Sequence, residues 1–180
     1  MIFIKRALIS DAATISFLGK QTFTETFANL FNKDELNEYL DATFDIKKLE
    51  KSLLSDRNIF GILYYSDKPV GYYKVKVGMD YDISLNEKYC QLQKIYILGD
   101  YLHLKLGKEM LDNIFCLKEI EDREIMWLVV LHTNYRAIKF YKNQGFEKLR
   151  KYYHTIGSQR LEYELMTKAI SVDWICCGFR

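Results

Sequence analysis

Along the chain, apolar and polar positions alternate between two periods. Ile2 to Ala7 predicts a short strand, and Ser10-Asp11 offers a helix cap ahead of the spacing Ile15, Leu18, Phe23. Helical spacing continues over residues 22–56 (Leu36, Tyr39, Leu40, then Leu49, Leu53, Leu54) with a break near Ala42 to Asp45. Two helices are therefore expected between the first and second strands. Ile59 to Tyr65 and Val70 to Val77 are β-branched and aromatic runs joined by Ser-Asp-Lys-Pro, which predicts a hairpin. A polar stretch from Gly78 to Lys88 precedes a strand over Tyr89 to Leu98 and a helical stripe of Leu106, Met110, Ile114 and Leu117. Ile125 to Leu131 is nearly all apolar, as expected of a strand buried on both faces. Phe146 to His154 and Arg160 to Thr167 predict two last strands, the second alternating Leu161, Tyr163, Leu165 with polar neighbours.

The most clearly bounded element lies between the last three strands. His132 to Phe146 predicts a short helix with Asn134 as N-cap and Gly145 as left-handed stop. Asn134, Ala137, Ile138 and Tyr141 share one face, with about 10 Å of rise from first to last. An amide and a phenol are thus expected on one wall, although a half-buried core tyrosine is the simpler account of this helix alone.

Composition narrows the class. With 180 residues, 49% of them hydrophobic, the chain suits one α/β domain, here residues 1–170, with 171–180 as a C-terminal tail. The formal charge of +2 gives no reason to expect nucleic acid as a partner. Charge is uneven, however: residues 25–56 hold eight acids and four lysines, while 136–160 hold seven Lys or Arg against Glu147. Cys90, Cys116, Cys176 and Cys177 show neither metal-ligand nor disulfide spacing, so no metal site is expected and a reducing compartment is the simplest inference. No signal peptide or membrane span is evident, and a cytoplasmic protein without membrane contact is expected.

Between strand and helix, Asp100 to Lys108 is a segment whose free backbone N–H groups, helped by the helix dipole and by Lys105 and Lys108, suit an anion. One glycine is not a glycine-rich loop, and by itself the segment implies no ligand.

Taken together, these pieces resemble the GNAT superfamily of N-acetyltransferases, and within it the PaiA-like branch associated with polyamine acetylation. The stretch Asn134-x-x-Ala137-Ile138-x-Phe140-Tyr141-x-x-x-Gly145-Phe146 resembles the superfamily's Asn-helix-Tyr motif. Tyr96 to Leu98 and the loop to Lys108 stand where its coenzyme A motif stands. Thr22-Phe23-x-x-Thr26-Phe27 and Gly157 to Met166 are similar to the PaiA-like branch. The departure is in the loop: where the family usually has Arg/Gln-Gly-x-Gly-x-Gly/Ala, this chain has Leu102-His103-Leu104-Lys105-Leu106-Gly107, keeping only the last glycine.

The resemblance implies a mixed, mainly antiparallel sheet of about seven strands with helices on both faces. It implies direct acetyl transfer from acetyl-CoA, the co-substrate, to a small primary amine such as spermidine or spermine. It assigns the cofactor to Ile95, Tyr96, Ile97, His103, Leu104, Lys105, Leu106, Gly107, Lys108, Asn134 and Tyr141. The Ile97 backbone N–H is the expected oxyanion donor and Tyr141 the general acid. Family carboxylates that would serve as base are replaced by Gln91 and Gln93, leaving a water chain or His132. A non-catalytic acetyl-CoA-binding regulatory module and a protein N-acetyltransferase are the alternatives, and the oligomeric state is open, a homodimer included.

Overall fold

The computed structural model describes residues 1–170. In chain order the elements are β1 (Ile2–Arg6), α1 (Ala12–Phe27), α2 (Lys33–Thr43), α3 (Ile46–Leu53), β2 (Asn58–Tyr65), β3 (Lys68–Met79), β4 (Leu85–Ile97), α4 (Leu106–Phe115), β5 (Ile125–Leu131), α5 (Tyr135–Asn143), β6 (Glu147–Ile156) and β7 (Gln159–Ala169). The strands form one seven-stranded sheet in the order β1-β2-β3-β4-β5-β7-β6. β4 and β5 run parallel, while β1 with β2, β5 with β7 and β6 with β7 run antiparallel. The expected mixed, mainly antiparallel α/β architecture is what the chain adopts. The expected tail at 171–180, with Cys176 and Cys177, lies outside the described residues.

The chain resolves into two compact units, one of Met1–Val75 with Lys94–Asn113, the other of Lys76–Gln93 with Ile114 onward. In the first, Ile15, Leu18, Phe23, Leu36, Leu40, Phe44 and Leu49 from α1–α3 pack on Phe60, Ile62 and Tyr72 of the sheet. Tyr73, the next residue of β3, faces the other way and donates its hydroxyl to Asn113 Oδ1 of α4 at 2.8 Å. Helices therefore cover both faces of β3, as the period of two along a strand requires. In the second unit, β5 carries the buried run Met126, Trp127 and Leu128, and the Trp127 indole donates to the Met79 carbonyl at 2.8 Å.

Four boundaries differ from those expected, each for a local reason. Three helices, not two, follow β1, because the chain also breaks at Ala28–Leu30, where Asn32 starts α2 by accepting the Glu35 amide at 2.9 Å. The break expected near Ala42 to Asp45 is present, and Asp45 caps α3 by accepting the Lys48 amide. Asp11 does not cap α1; it accepts the Leu8 amide at 2.8 Å and pairs with Lys5 at 3.0 Å. The β2–β3 turn is the two residues Ser66-Asp67, both at positive φ as a type I′ turn demands, so Pro69 falls inside β3. The polar stretch 78–88 is mostly strand and a tip at which Asp80 Oδ1 accepts the amides of Asp82 and Ser84.

Candidate active site

α5 is built by its own ends. Asn134 Oδ1 accepts the Ala137 amide at 3.1 Å, satisfying one of the four donors that the start of a helix leaves open. At the other end Gly145 takes φ +82°, its amide donates to the Lys142 carbonyl, and the Phe146 amide reaches back to the Tyr141 carbonyl at 3.0 Å. That is the Schellman closure, and the apolar contact that accompanies it is here Tyr141 on Phe146, edge to face at 5.7 Å. Lys168 of β7 donates to the Gln144 carbonyl at 2.6 Å, covering a further open acceptor. Both boundaries expected of this helix are as the structure has them.

The two polar groups on α5 are both half-exposed and differ in how their polar atoms are held. Asn134 is half-exposed with its oxygen engaged in the cap, whereas burial pushes the Tyr141 phenol well above its ordinary pKa. Tyr141 is thus a protonated donor throughout the physiological range, with part of its surface still open. His132 is exposed, with Nδ1 at 2.9 Å from the Glu162 carbonyl oxygen, so that nitrogen carries the proton and is occupied.

At the end of β4, the Leu98 amide donates to the Val70 carbonyl of β3 at 2.9 Å. Successive amides of a strand point to opposite edges, so the Ile97 amide points away from β3. Gly71 lets the two strands approach closely here: a Cβ on it would lie 2.6 Å from the Tyr96 carbonyl oxygen. Glu25 of α1 then accepts the Gly99 amide at 2.8 Å and fixes the start of the loop.

That loop is a 3₁₀ turn, Gly99–Leu104, followed by Lys105 in the left-handed region (φ 57°, ψ 24°) and the first turn of α4. Lys105 stands where the family has its middle glycine and keeps a glycine-like backbone, at a cost of about 1–2 kcal/mol for an L-residue. Its side chain is exposed. Lys108 is turned inward along the helix to Asp112 at 2.5 Å, an exposed i,i+4 pair that takes up part of its charge.

Sequence reasoning missed a further group on β4. Lys94 is only partly exposed, and its amine lies 5.0 Å from the Phe44 ring centroid and 5.8 Å from that of Tyr96. Burial, and next the charge of Lys74, pull it down to about 8. The readable signal was parity: Lys94 shares its strand face with Cys90 and Leu92, both buried. The structure thus gathers Ile95, Tyr96, Ile97 and the loop from His103 to Lys108 in the first unit, and Asn134 and Tyr141 in the second. Among the described residues no group of His, Cys, Asp and Glu is arranged to hold a metal, and no helix is long and apolar enough to cross a membrane.

Comparison with known proteins gives this geometry a family. The model of the acetyltransferase (GNAT) family matches residues 24–146. Over 176 residues, 94% of this chain and 99% of its relative, the sequence is 23% identical to an uncharacterized N-acetyltransferase from the pepI 3′ region of Lactobacillus delbrueckii subsp. lactis. The fold is similar to that of the PaiA N-acetyltransferase of Thermoplasma acidophilum, solved in complex with coenzyme A. The TM-score is 0.76 at 18% identity, covering 94% of this chain and 99% of that one. It is also similar to the ribosomal-protein-S18-alanine N-acetyltransferase of Escherichia coli, with a TM-score of 0.68 at 19% identity, covering 95% of both chains. Matched to the family model over more than half its length, the chain belongs to the acetyltransferase (GNAT) family and is an acyltransferase that uses acetyl-CoA as co-substrate.

Proposed function

We propose that the protein moves the acetyl group of acetyl-CoA directly to a primary amine, without a covalent enzyme intermediate. Family membership over residues 24–146 carries this reading. In it, the pyrophosphate lies over residues 103–108 and the pantetheine along Ile95 to Ile97, with Asn134 near the same arm. The loop's polarity agrees, since Lys105 is an exposed cation held at a helix start. The Ile97 amide donates to the oxygen of the thioester carbonyl as negative charge grows there. Tyr141 protonates the departing thiolate, a task suited to a phenol that burial keeps protonated.

The finer reading is a small polyamine acceptor such as spermidine or spermine. Likeness to the PaiA structure supports it, as do the exposed acids Asp34 and Glu38 of α2, which attract a polycation. Two other acids of that region are drawn into internal contacts: Glu25 on the Gly99 amide, and Asp41 on Lys20 at 2.6 Å. A protein N-terminus as acceptor is the second reading, favoured by likeness to the S18-alanine enzyme. A non-catalytic acetyl-CoA-binding module is the third, favoured by the loss of two loop glycines. Thiol release from acetyl-CoA with a panel of amines and peptides separates the three. Release with an amine supports catalysis, release with peptides alone moves the acceptor to protein, and none leaves only a binding module.

A further inference from the structure

The amine-transfer reading has no assigned base. An ammonium acceptor has no lone pair and must lose a proton before it attacks, yet β4 carries Gln91 and Gln93 where family carboxylates would serve, and His132, whose Nδ1–H is held by a carbonyl, has Nε2 alone left to accept one. One cluster in the first unit has the chemistry to fill that role. On the face of β3 and β4 covered by α1–α3, Tyr72 and Tyr96 meet at 5.9 Å between rings, and Lys94 lies over the same Tyr96 ring. The Tyr72 hydroxyl is fully buried and has no hydrogen-bond partner among the described residues, a state that costs about 1–3 kcal/mol unless a ligand or water meets it. Lys94, Tyr39 and Tyr96 keep part of their surface open, so the cluster borders solvent, and an acceptor meets the closed Tyr72 hydroxyl only by displacing a neighbouring side chain.

Resting on the acetyl-transfer reading, we propose that Lys94, as the neutral amine, is the base that takes the proton of the acceptor ammonium, while the Tyr72 hydroxyl binds the acceptor nitrogen. Lys94 forms no ion pair among the described residues; of the groups on the elements packed there (Lys74 and Tyr72 on β3, Tyr96 on β4, Tyr39 on α2), Lys74 opposes its charge, and the Phe44 and Tyr96 ring faces offset only part of the cost of burial. Both burial and Lys74 thus favour the neutral amine, which is a usable base near physiological pH. Lys94 precedes Ile97 by three residues, about 10 Å along the same strand, so in the proposal the proton reaches Lys94 through a bridging hydroxyl or water. The acceptor passes one proton to Lys94 Nζ, and its freed lone pair forms the N–C bond at the thioester carbonyl. The C–S bond breaks with its electrons on sulfur, the nitrogen gives its second proton to water, sulfur takes one from Tyr141, and the Tyr141 phenolate is reprotonated from water. Lys94 returns its proton to solvent.

The test is turnover of the full chain with saturating acetyl-CoA and either spermidine or butylamine between pH 6 and 10. The wild-type kcat should rise through an inflection near 8, in line with the depressed Lys94. Lys94→Met and Lys94→Arg should both lose that limb and fall about 100-fold, with coenzyme A affinity kept, because neither offers a neutral amine. Tyr72→Phe should raise the acceptor KM about fivefold and leave the inflection in place. A wild-type kcat without an inflection between 7 and 9 overturns the proposal, needing no variant at all. So does either Lys94 variant within threefold of wild type and still showing the limb. An unchanged KM for Tyr72→Phe removes the hydroxyl from the account. Thiol release that depends on amine while these results fail sinks Lys94 alone; no amine-dependent release sinks the acetyl-transfer reading beneath it.

Discussion

Tyr141 is joined to Phe146 twice: its carbonyl accepts the Phe146 amide at 3.0 Å, and the two rings meet edge to face at 5.7 Å. The closure of α5 and the proposed acid are therefore one residue, but they use different atoms of it. Tyr141→Phe keeps the ring and the carbonyl and loses the hydroxyl. We expect kcat to fall about 100-fold with the melting temperature and acetyl-CoA affinity within error of wild type. Equal turnover in the two proteins would remove Tyr141 from the mechanism.

Lys105 holds a left-handed backbone that glycine adopts freely. Lys105→Gly relieves that strain while adding freedom to the unfolded chain, so the net gain is expected to be small, about 0–1 kcal/mol in urea unfolding. Coenzyme A affinity should fall about threefold from the lost charge. A clear loss of stability would show that the Lys105 side chain, not its backbone, supports the loop.

Gly107 sits in the first turn of α4, beside the amides proposed to meet the pyrophosphate. Gly107→Asp sets a carboxylate there and should weaken coenzyme A by about tenfold in calorimetry. Unchanged affinity would contradict the placement.

Folded, the buried amine of Lys94 loses its proton near pH 8 rather than near the 10.5 of a free lysine. Between those values Lys94 binds more protons in the unfolded chain than in the folded one, so its own contribution to stability rises with pH across that window and carries the full cost of the charge below it. The change is about 3 kcal/mol at 1.36 kcal/mol per pKa unit. Lys94→Met should flatten this slope and raise stability at pH 7. A stability advantage of Lys94→Met over wild type that does not shrink from pH 8 to 10 would show that the amine is solvated.

What was legible in the sequence was what neighbours in the chain decide. Asn134 and Gly145 bound α5 through groups three to five residues away, and the apolar run Ile125 to Leu131 coincides with β5. The start of α2 had a readable mark in Asn32 and Glu35, but the helical spacing on either side concealed it. The state of Lys94 was not legible, because Phe44, Lys74 and Tyr96 reach it only through the packing of α1–α3 on the sheet. Lys105 was unreadable for a different reason: without the glycine, nothing local announces a positive φ.

The central claim, acetyl transfer to a small amine, is tested most directly by continuous detection of free thiol from acetyl-CoA in the presence of spermidine, butylamine or no amine, at low and at high salt. The account predicts amine-dependent release, a higher kcat/KM for spermidine than for butylamine at low salt, and a fall in that advantage as salt screens the exposed acids of α2 beyond about 10 Å. Equal values for the two amines at low salt would remove the polyamine while leaving the acetyltransferase. Release no faster with any amine than without one would contradict the account.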